Sequence, residues 1–351
     1  VTAQIDMAEA IAMIRQSAAG LADRRDLSRV RRLRYTLPGF DRDVWREICG
    51  LGWPALRLSE AHGGVGLSMA AYCALAQELG AALVPEPLIG AVLTAALLQG
   101  EALERHLSGQ ALILPAWQNE RDACAPGEGL RFADGRLSGT LRYVALAQGA
   151  DGFLVLGPGT AWLVAASAPG VSLSLDETQD GGHQGTLTLE GVAATPIAAA
   201  TAGPFAEACL ATSAYLLGMI DAAIERTADY LRVRVQFGKV IGSFQTLQHR
   251  MVDLKLEAEL TRASVEDAAA RWDQTPGSRG SLAAVSRAKV RAAATAALVT
   301  RQAIQLHGGI GYTDEHDISL FLRKAMVVIP QYGSAALHRE RFAQLQPFQR
   351  D

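Results

Sequence analysis

Residues 232–248 read RVRVQFGKVIGSFQTLQ, a basic segment with two glycines set between Ala- and Leu-rich stretches of helical character. Taken alone, Gly238 can stop a helix, and Arg232 and Arg234 suit its carboxyl end. A second break of the same kind, QLHGGIGYT at residues 305–313, closes the helical stretch that follows. Its spacing is GGxG after a helix, not GxGxxG after a strand, so it is no Rossmann fingerprint. Around these breaks run four helical stretches, about 205–232, 245–272, 280–306 and 318–345. Long helices with short connections predict a bundle over residues 203–351.

Moving toward the amino terminus, residues 109–202 change texture. Short apolar runs (ALILPAW, LRYVALA, GFLVLG, AWLVAA, VSLSL, GTLTLEGV) are parted by Gly, Pro, Asp and Asn, which predicts a small all-β unit. Residues 1–108 return to helical spacing, with Ile5, Ala8, Ile11 and Ile14 on one face and Val44, Ile48, Leu51 and Trp53 on another. The segment GLGWPALRLSEAHGGVGLS interrupts them, and Ser68 is placed to cap the helix that follows. The expected fold is mainly α with a central small β domain.

A chain of 351 residues exceeds one ordinary core. Its 33 basic and 36 acidic residues leave a charge of −3, which gives no electrostatic grip on nucleic acid or an anionic membrane. The four cysteines, Cys49, Cys73, Cys124 and Cys209, lack metal-ligand spacing and read as reduced core thiols. No metal is expected. The amino terminus lacks the basic start and long apolar stretch of a signal peptide, so the expected location is cytoplasmic.

The order RxxFGxxIGxFQxxQ, a helix, QxxGGxGYT and then LRKA resembles the carboxyl-terminal domain of the acyl-CoA dehydrogenase family. GLGWPALRLSEAHGGVGLS resembles that family's amino-terminal segment, and GTLRYVALAQGADGFLVLG its flavin-facing β segment, so the likeness covers nearly the whole chain. It implies an N-terminal helical domain, a middle β-barrel and a C-terminal four-helix bundle. It also implies FAD, an acyl-CoA substrate and an electron-transfer flavoprotein as oxidant. In this family the two motif segments of one chain reach the flavin of a neighbour. By resemblance, Arg234, Gln236, Phe237, Ile241, Gln245, Leu247, Gln305, Gly308 and Gly309 should contact a partner's FAD. A guanidinium suits a diphosphate, and glycines allow close backbone approach.

The sequence departs from the family where chemistry is done. The usual catalytic Glu falls on Tyr332, which with an ordinary pKa near ~10 is ionised to about one part in a thousand at neutral pH. Other members carry the Glu at the start of the first bundle helix, beside an Arg; here those positions are Ala208 and Cys209. Glu207, one residue earlier, is turned by about 100° on the helix and remains a weak alternative base. The flavin-binding TEPGAGSD-like stretch is replaced by PAWQNERDACAPG. The aromatic-x-Thr on the flavin becomes Tyr143-Val144-Ala145, leaving Tyr143 and Ser334 as weaker candidates for an own-flavin site. His307 reads as a packed or capping histidine, Glu315-His316-Asp317 as a solvated cap, and Arg339-Glu340-Arg341 as an exposed helix face.

Everything used to hold an own flavin is weakened, while the segments lent to a neighbour are intact. The expectation is the noncatalytic subunit of a heterotetramer. It resembles paired dehydrogenases acting on CoA thioesters of steroid side chains and other bulky or dicarboxylic acyl groups. Two alternatives stay open: an active homo-oligomer using Glu207 or another carboxylate, and a flavin-free scaffold of the same fold.

Overall fold

The computed structural model describes residues 7–346; Ile5 lies outside them. The first helices are α1 (Met7–Leu21), α2 (Ser28–Leu33), α3 (Arg42–Gly50), α4 (Met69–Ala81), α5 (Leu88–Ala95) and α6 (Gly100–Leu107). Eight strands follow: β1 (Ile113–Ala116), β2 (Arg131–Ala133), β3 (Arg136–Ala145), β4 (Gly152–Gly157), β5 (Thr160–Ala165), β6 (Val171–Glu177), β7 (His183–Ala193) and β8 (Pro196–Ala198). Next come α7 (Ala202–Val233), the short strands β9 (Val235–Gln236) and β10 (Lys239–Val240), α8 (Gln245–Gln274), α9 (Arg279–His307), α10 (Ile318–Val328) and α11 (Ala335–Leu345). The described residues fold into two compact units, one of 7–28, Met69–Val84 and 209–346, the other of Arg29–Ser68 and Pro85–Ala208.

In the first unit α9 is the central bundle helix, packed by α8, α10 and α11. Its buried face carries a row of alanines, Ala284, Ala288, Ala292, Ala296 and Ala303, at helical spacing beside larger residues such as Lys289, Val299 and Ile304. Helix α7 is long and apolar enough to cross a bilayer, but 83% of its most apolar window is buried. It crosses α4 at backbone contact: a Cβ on Gly80 would lie 2.0 Å from the Tyr215 carbonyl oxygen, and one on Gly218 1.8 Å from that of Gln77. Only glycine fits at that crossing. The Met69 and Ala70 N–H groups that open α4 donate to the Asp273 carboxylate at 2.6 and 3.1 Å, so a distant side chain shares the capping expected of Ser68.

In the second unit the strands form two four-stranded sheets, ordered β1-β4-β5-β8 and β2-β3-β7-β6. Only β1 and β4 run parallel; the other pairs are antiparallel. Leu137, Leu141, Phe153, Val155, Trp162, Leu187 and Leu189 fill one core from both sheets, which is the expected middle β domain. Strands β2 and β8 were not legible in the sequence because they bury almost nothing and so show no alternation.

Three expectations need correction. The helix read through Trp53 stops at Gly50, because Gly52 turns left-handed at φ 73° and Trp53 starts a separate 3₁₀ turn. The stretch 318–345 is two helices, α10 and α11, parted by a turn at Pro330, Tyr332 (φ 58°) and Gly333 (φ 105°). Of the four thiols, Cys49, Cys73 and Cys209 are buried, but Cys124 is only half-buried, on a loop. Burial pushes the Cys49 thiol up to about 12.

Candidate functional site

Helix α7 does not run on to Gly238. It ends at Val233, and β9 pairs with β10 through a two-residue turn, Phe237 (φ 52°) and Gly238 (φ 78°). Two successive positive φ values make the mirror-image turn that suits a tight hairpin. The Ile241 N–H donates to the Arg234 carbonyl at 2.8 Å and closes the hairpin at its base. Arg234, Gln236 and Gln245 are exposed, and Ile241 and Leu247 are half-buried. No described carboxylate pairs with the Arg234 guanidinium. Phe237 is 90% exposed, touching Phe244 edge-on at 6.2 Å.

At the other motif, α9 ends at His307 and Gly308 leaves it at φ 66°. Gln305, Gly308 and Gly309 are exposed, and a Cβ on either glycine would meet nothing within 4 Å. His307 is buried, as expected; its Nδ1 donates to the Ala303 carbonyl at 2.7 Å, and burial holds the imidazole below its ordinary range. In the 315–317 cap, His316 accepts the Ile318 N–H at 3.1 Å and Asp317 pairs with Arg226.

The two motifs meet at a residue that sequence reading passed over. Tyr230, on the last turns of α7, stacks on His307 at 4.4 Å and donates its hydroxyl to the His307 carbonyl at 3.2 Å. Its only signal in the sequence is a position one helical turn before Arg234.

The positions that would carry a base are committed elsewhere. Tyr332 is 8% exposed, and burial followed by the nearby Cys209 raises its phenol further from ionisation. Its carbonyl accepts from His338 Nε2 at 2.8 Å, which assigns the proton to that nitrogen because a carbonyl cannot donate. Lys289, fully buried, donates to the Ile329 carbonyl at 2.9 Å, and Ser334 Oγ caps α11 by accepting the Leu337 N–H at 3.2 Å. The turn is thus pinned at three points. Ala208 and Cys209 are buried. Both Glu207 carboxylate oxygens accept from Arg57, at 3.0 and 2.6 Å, and Arg57 also donates to the Leu67 carbonyl.

On the β unit, Tyr143 sits at a register shift between Leu141 and Val144, left-handed at φ 60° and 40% exposed. In the loop that replaces the family's glycine-rich stretch, Gln118 donates to the Glu120 and Arg121 carbonyls and Asn119 to that of Glu128. These side chains are spent on the loop's own backbone. Arg234, Gln305, Gly308 and Gly309 are exposed and bring a guanidinium, an amide and bare backbone, groups that suit a diphosphate, whereas the Gln118 and Asn119 side chains are taken up within their own loop.

Sequence profiles of known families match most of the chain. Residues 8–105 match "Acyl-CoA dehydrogenase, N-terminal domain" and residues 197–345 match "Acyl-CoA dehydrogenase, C-terminal domain". Acyl-CoA dehydrogenase IpdE2 of Mycolicibacterium smegmatis is 31% identical over 94% of this chain and 95% of its own, and IpdE2 of Mycobacterium tuberculosis 32% identical over 93% and 92%. Among solved structures, the Tcur3481-Tcur3483 steroid ACAD G363A variant is similar at TM-score 0.85 with 29% identity, covering 97% of each chain. The ChsE4-ChsE5 complex from Mycobacterium tuberculosis shares the fold at TM-score 0.83 with 24% identity, covering 100% and 99%. The helix, sheet and bundle order, the two glycine motifs and these full-length likenesses agree, and the chain belongs to the acyl-CoA dehydrogenase family.

Proposed function

We propose that this chain is the noncatalytic subunit of a heteromeric acyl-CoA dehydrogenase, one that completes the FAD site of a homologous sister subunit. The observation that carries the reading is a contrast in exposure. The segments lent to a neighbour are open and preformed, while Tyr332 is buried and Glu207 is ion-paired through both oxygens. Val252, Leu256 and Leu260 are also exposed at four-residue spacing on α8, with Leu298 exposed on the adjoining α9. Such apolar surface fits a chain that works against another.

In the assembled enzyme the sister's Glu would take the α-proton of the acyl-CoA, and an enoyl-CoA forms once the β-hydrogen also leaves as hydride. A bound FAD would supply the acceptor for that hydride, with an electron-transfer flavoprotein as the onward oxidant. This chain's Arg234 would face the diphosphate, with Gln236, Phe237, Ile241, Gln245, Leu247, Gln305, Gly308 and Gly309 around it. Tyr143 and Ser334 are the remnants of its own flavin side. The segments 1–108, 109–202 and 203–351 are read as the family's three domains, and the location as cytoplasmic. A structural relative named as a steroid dehydrogenase supports a bulky, steroid-derived acyl group as the substrate class.

Expression alone and with a homologous sister chain tests the reading. FAD and turnover are expected in the pair alone. A singly expressed chain that carries stoichiometric flavin and oxidises an acyl-CoA with an artificial acceptor overturns it and favours the homo-oligomer.

A further inference from the structure

We propose that Tyr230 is a positioning residue that sets the hairpin of Arg234 and Phe237 in fixed relation to the Gly308-Gly309 turn; this rests on the reading that both face a sister subunit's flavin. One residue holds both segments. Its own carbonyl accepts the Arg234 N–H at 2.9 Å, fixing where α7 hands over to the hairpin. Its hydroxyl donates to the His307 carbonyl at 3.2 Å, the last carbonyl before Gly308. That group belongs to the final turn of α9, where carbonyls have no partner within the helix.

The ring is fixed as firmly as the hydroxyl. It lies on the His307 imidazole at 4.4 Å and 23°, and His316 packs against the two at 6.0 and 4.6 Å. His307 is itself tied to Ala303, and His316 to the first N–H of α10. Gly308 and Gly309 have no side chains to anchor them and open a 3₁₀ turn, Gly308–Tyr312, whose far end packs through the buried Gly311; at its near end the His307 carbonyl held by Tyr230 sets where the turn departs. Two groups that must reach one diphosphate from different helices need such a common reference, because small misplacements cost binding steeply.

The test uses the complex with the sister subunit and reads the FAD dissociation constant beside the melting temperature of the flavin-free complex. Tyr230→Phe keeps the stack and loses one hydrogen bond, so FAD is expected to bind about five-fold more weakly. Tyr230→Leu loses the stack as well, and about fifty-fold is expected. A purely structural role would lower the melting temperature and leave the affinity of the folded complex unchanged, which overturns the proposal. If Tyr230→Leu does not fold, Tyr230→Phe decides: an unchanged FAD constant removes the hydroxyl's role. Arg234→Ala separates the two levels. If it alone weakens FAD, the positioning proposal falls and the heteromer reading stands; if neither change weakens FAD, the heteromer reading falls.

Discussion

On the reading proposed above, Tyr332→Glu puts a carboxyl at the family's base position, and the surroundings of that position predict that catalysis does not follow. The Tyr332 backbone is left-handed at φ 58°, its carbonyl is held by His338, and its side chain is 8% exposed. A carboxyl group there enters the same apolar surroundings that already raise the phenol's pKa. Full burial raises a carboxylic acid by roughly 3–5 units, from near 4.3 to about 7–9. At pH 7 the ionised fraction would be about one half at best and about one in a hundred at worst, before any question of aim. The ring lost is large. Aromatic side chains bury roughly 150–250 Å² each, worth about 25 cal/mol per Å², of which the Glu methylenes recover only part. A loss of about 3 kcal/mol follows, a fall in melting temperature of about 4 °C for a chain of this length. The assay is visible flavin absorbance and acyl-CoA oxidation by the isolated Tyr332→Glu chain, with circular dichroism to confirm folding. The expected result is a colourless, inactive and less stable protein, and unchanged activity per flavin when paired with a sister chain. A folded, yellow variant that turns over alone would refute both the buried geometry and the loss of the own-flavin site.

Glu207→Gln distinguishes a structural carboxylate from a base. The Arg57 pair is about one-fifth exposed on each side, so removing one charge is expected to destabilise by about 1–3 kcal/mol while turnover per bound FAD in the complex stays constant. A fall of 10²-fold or more at constant FAD would make Glu207 the base. Acid should destabilise the chain through its buried imidazoles. Burial lowers the pKa of His106, His183 and His307, so each stays neutral in the fold while the unfolded chain binds a proton below about pH 6.5. Their contribution is complete above that pH. It is lost as pH falls from about 6.5 toward their depressed folded values, at up to about 1.4 kcal/mol per pH unit for each histidine. Urea midpoints measured across this window check the slope; a midpoint that rises on acidification contradicts the sign.

The elements that bury a face were legible, and those that depend on distant partners were not. Strand β7 alternates buried and half-buried residues, and α9 repeats alanine at helical spacing, so each announces its period. The break at Pro330 and Ser334 was also visible in principle, since a proline followed by an N-capping residue separates helices. What no local pattern gives is the left-handed Tyr332, because Lys289 and His338 pin that turn from α9 and α11. The hairpin was hidden for another reason. Such turns favour Asn-Gly, and Phe237 occupies the first position, so the stretch looked like a helix stop. Glu207 was read as a helix-start acid because Arg57 is 150 residues away. The motif residues stand out through the family's pattern, whereas Tyr230, which stacks on His307 between them, carries no such mark.

Of the aromatic residues held in the left-handed conformation, Phe237 and Tyr332 differ most in what surrounds them. Phe237 and Tyr332 are left-handed at φ 52° and 58°, which costs a side chain bearing a Cβ roughly 1–2 kcal/mol. For Tyr332 the offset lies within the chain: a buried ring, a hydrogen bond from His338 and a neighbouring carbonyl held by Lys289. For Phe237 the chain provides little, since the ring is 90% exposed and makes one edge contact with Phe244. Asn or Gly would form the same turn at lower cost and without presenting an apolar ring to water. A bulky residue at the tip of a left-handed hairpin is therefore unfavourable for this chain alone, which accords with the proposal that a sister subunit covers the ring. The hairpin that carries Phe237 is the one that carries Arg234. The same contrast underlies the proposed division of labour: at Tyr332 the chain is closed on itself, and at Arg234 and Gly308 it is exposed.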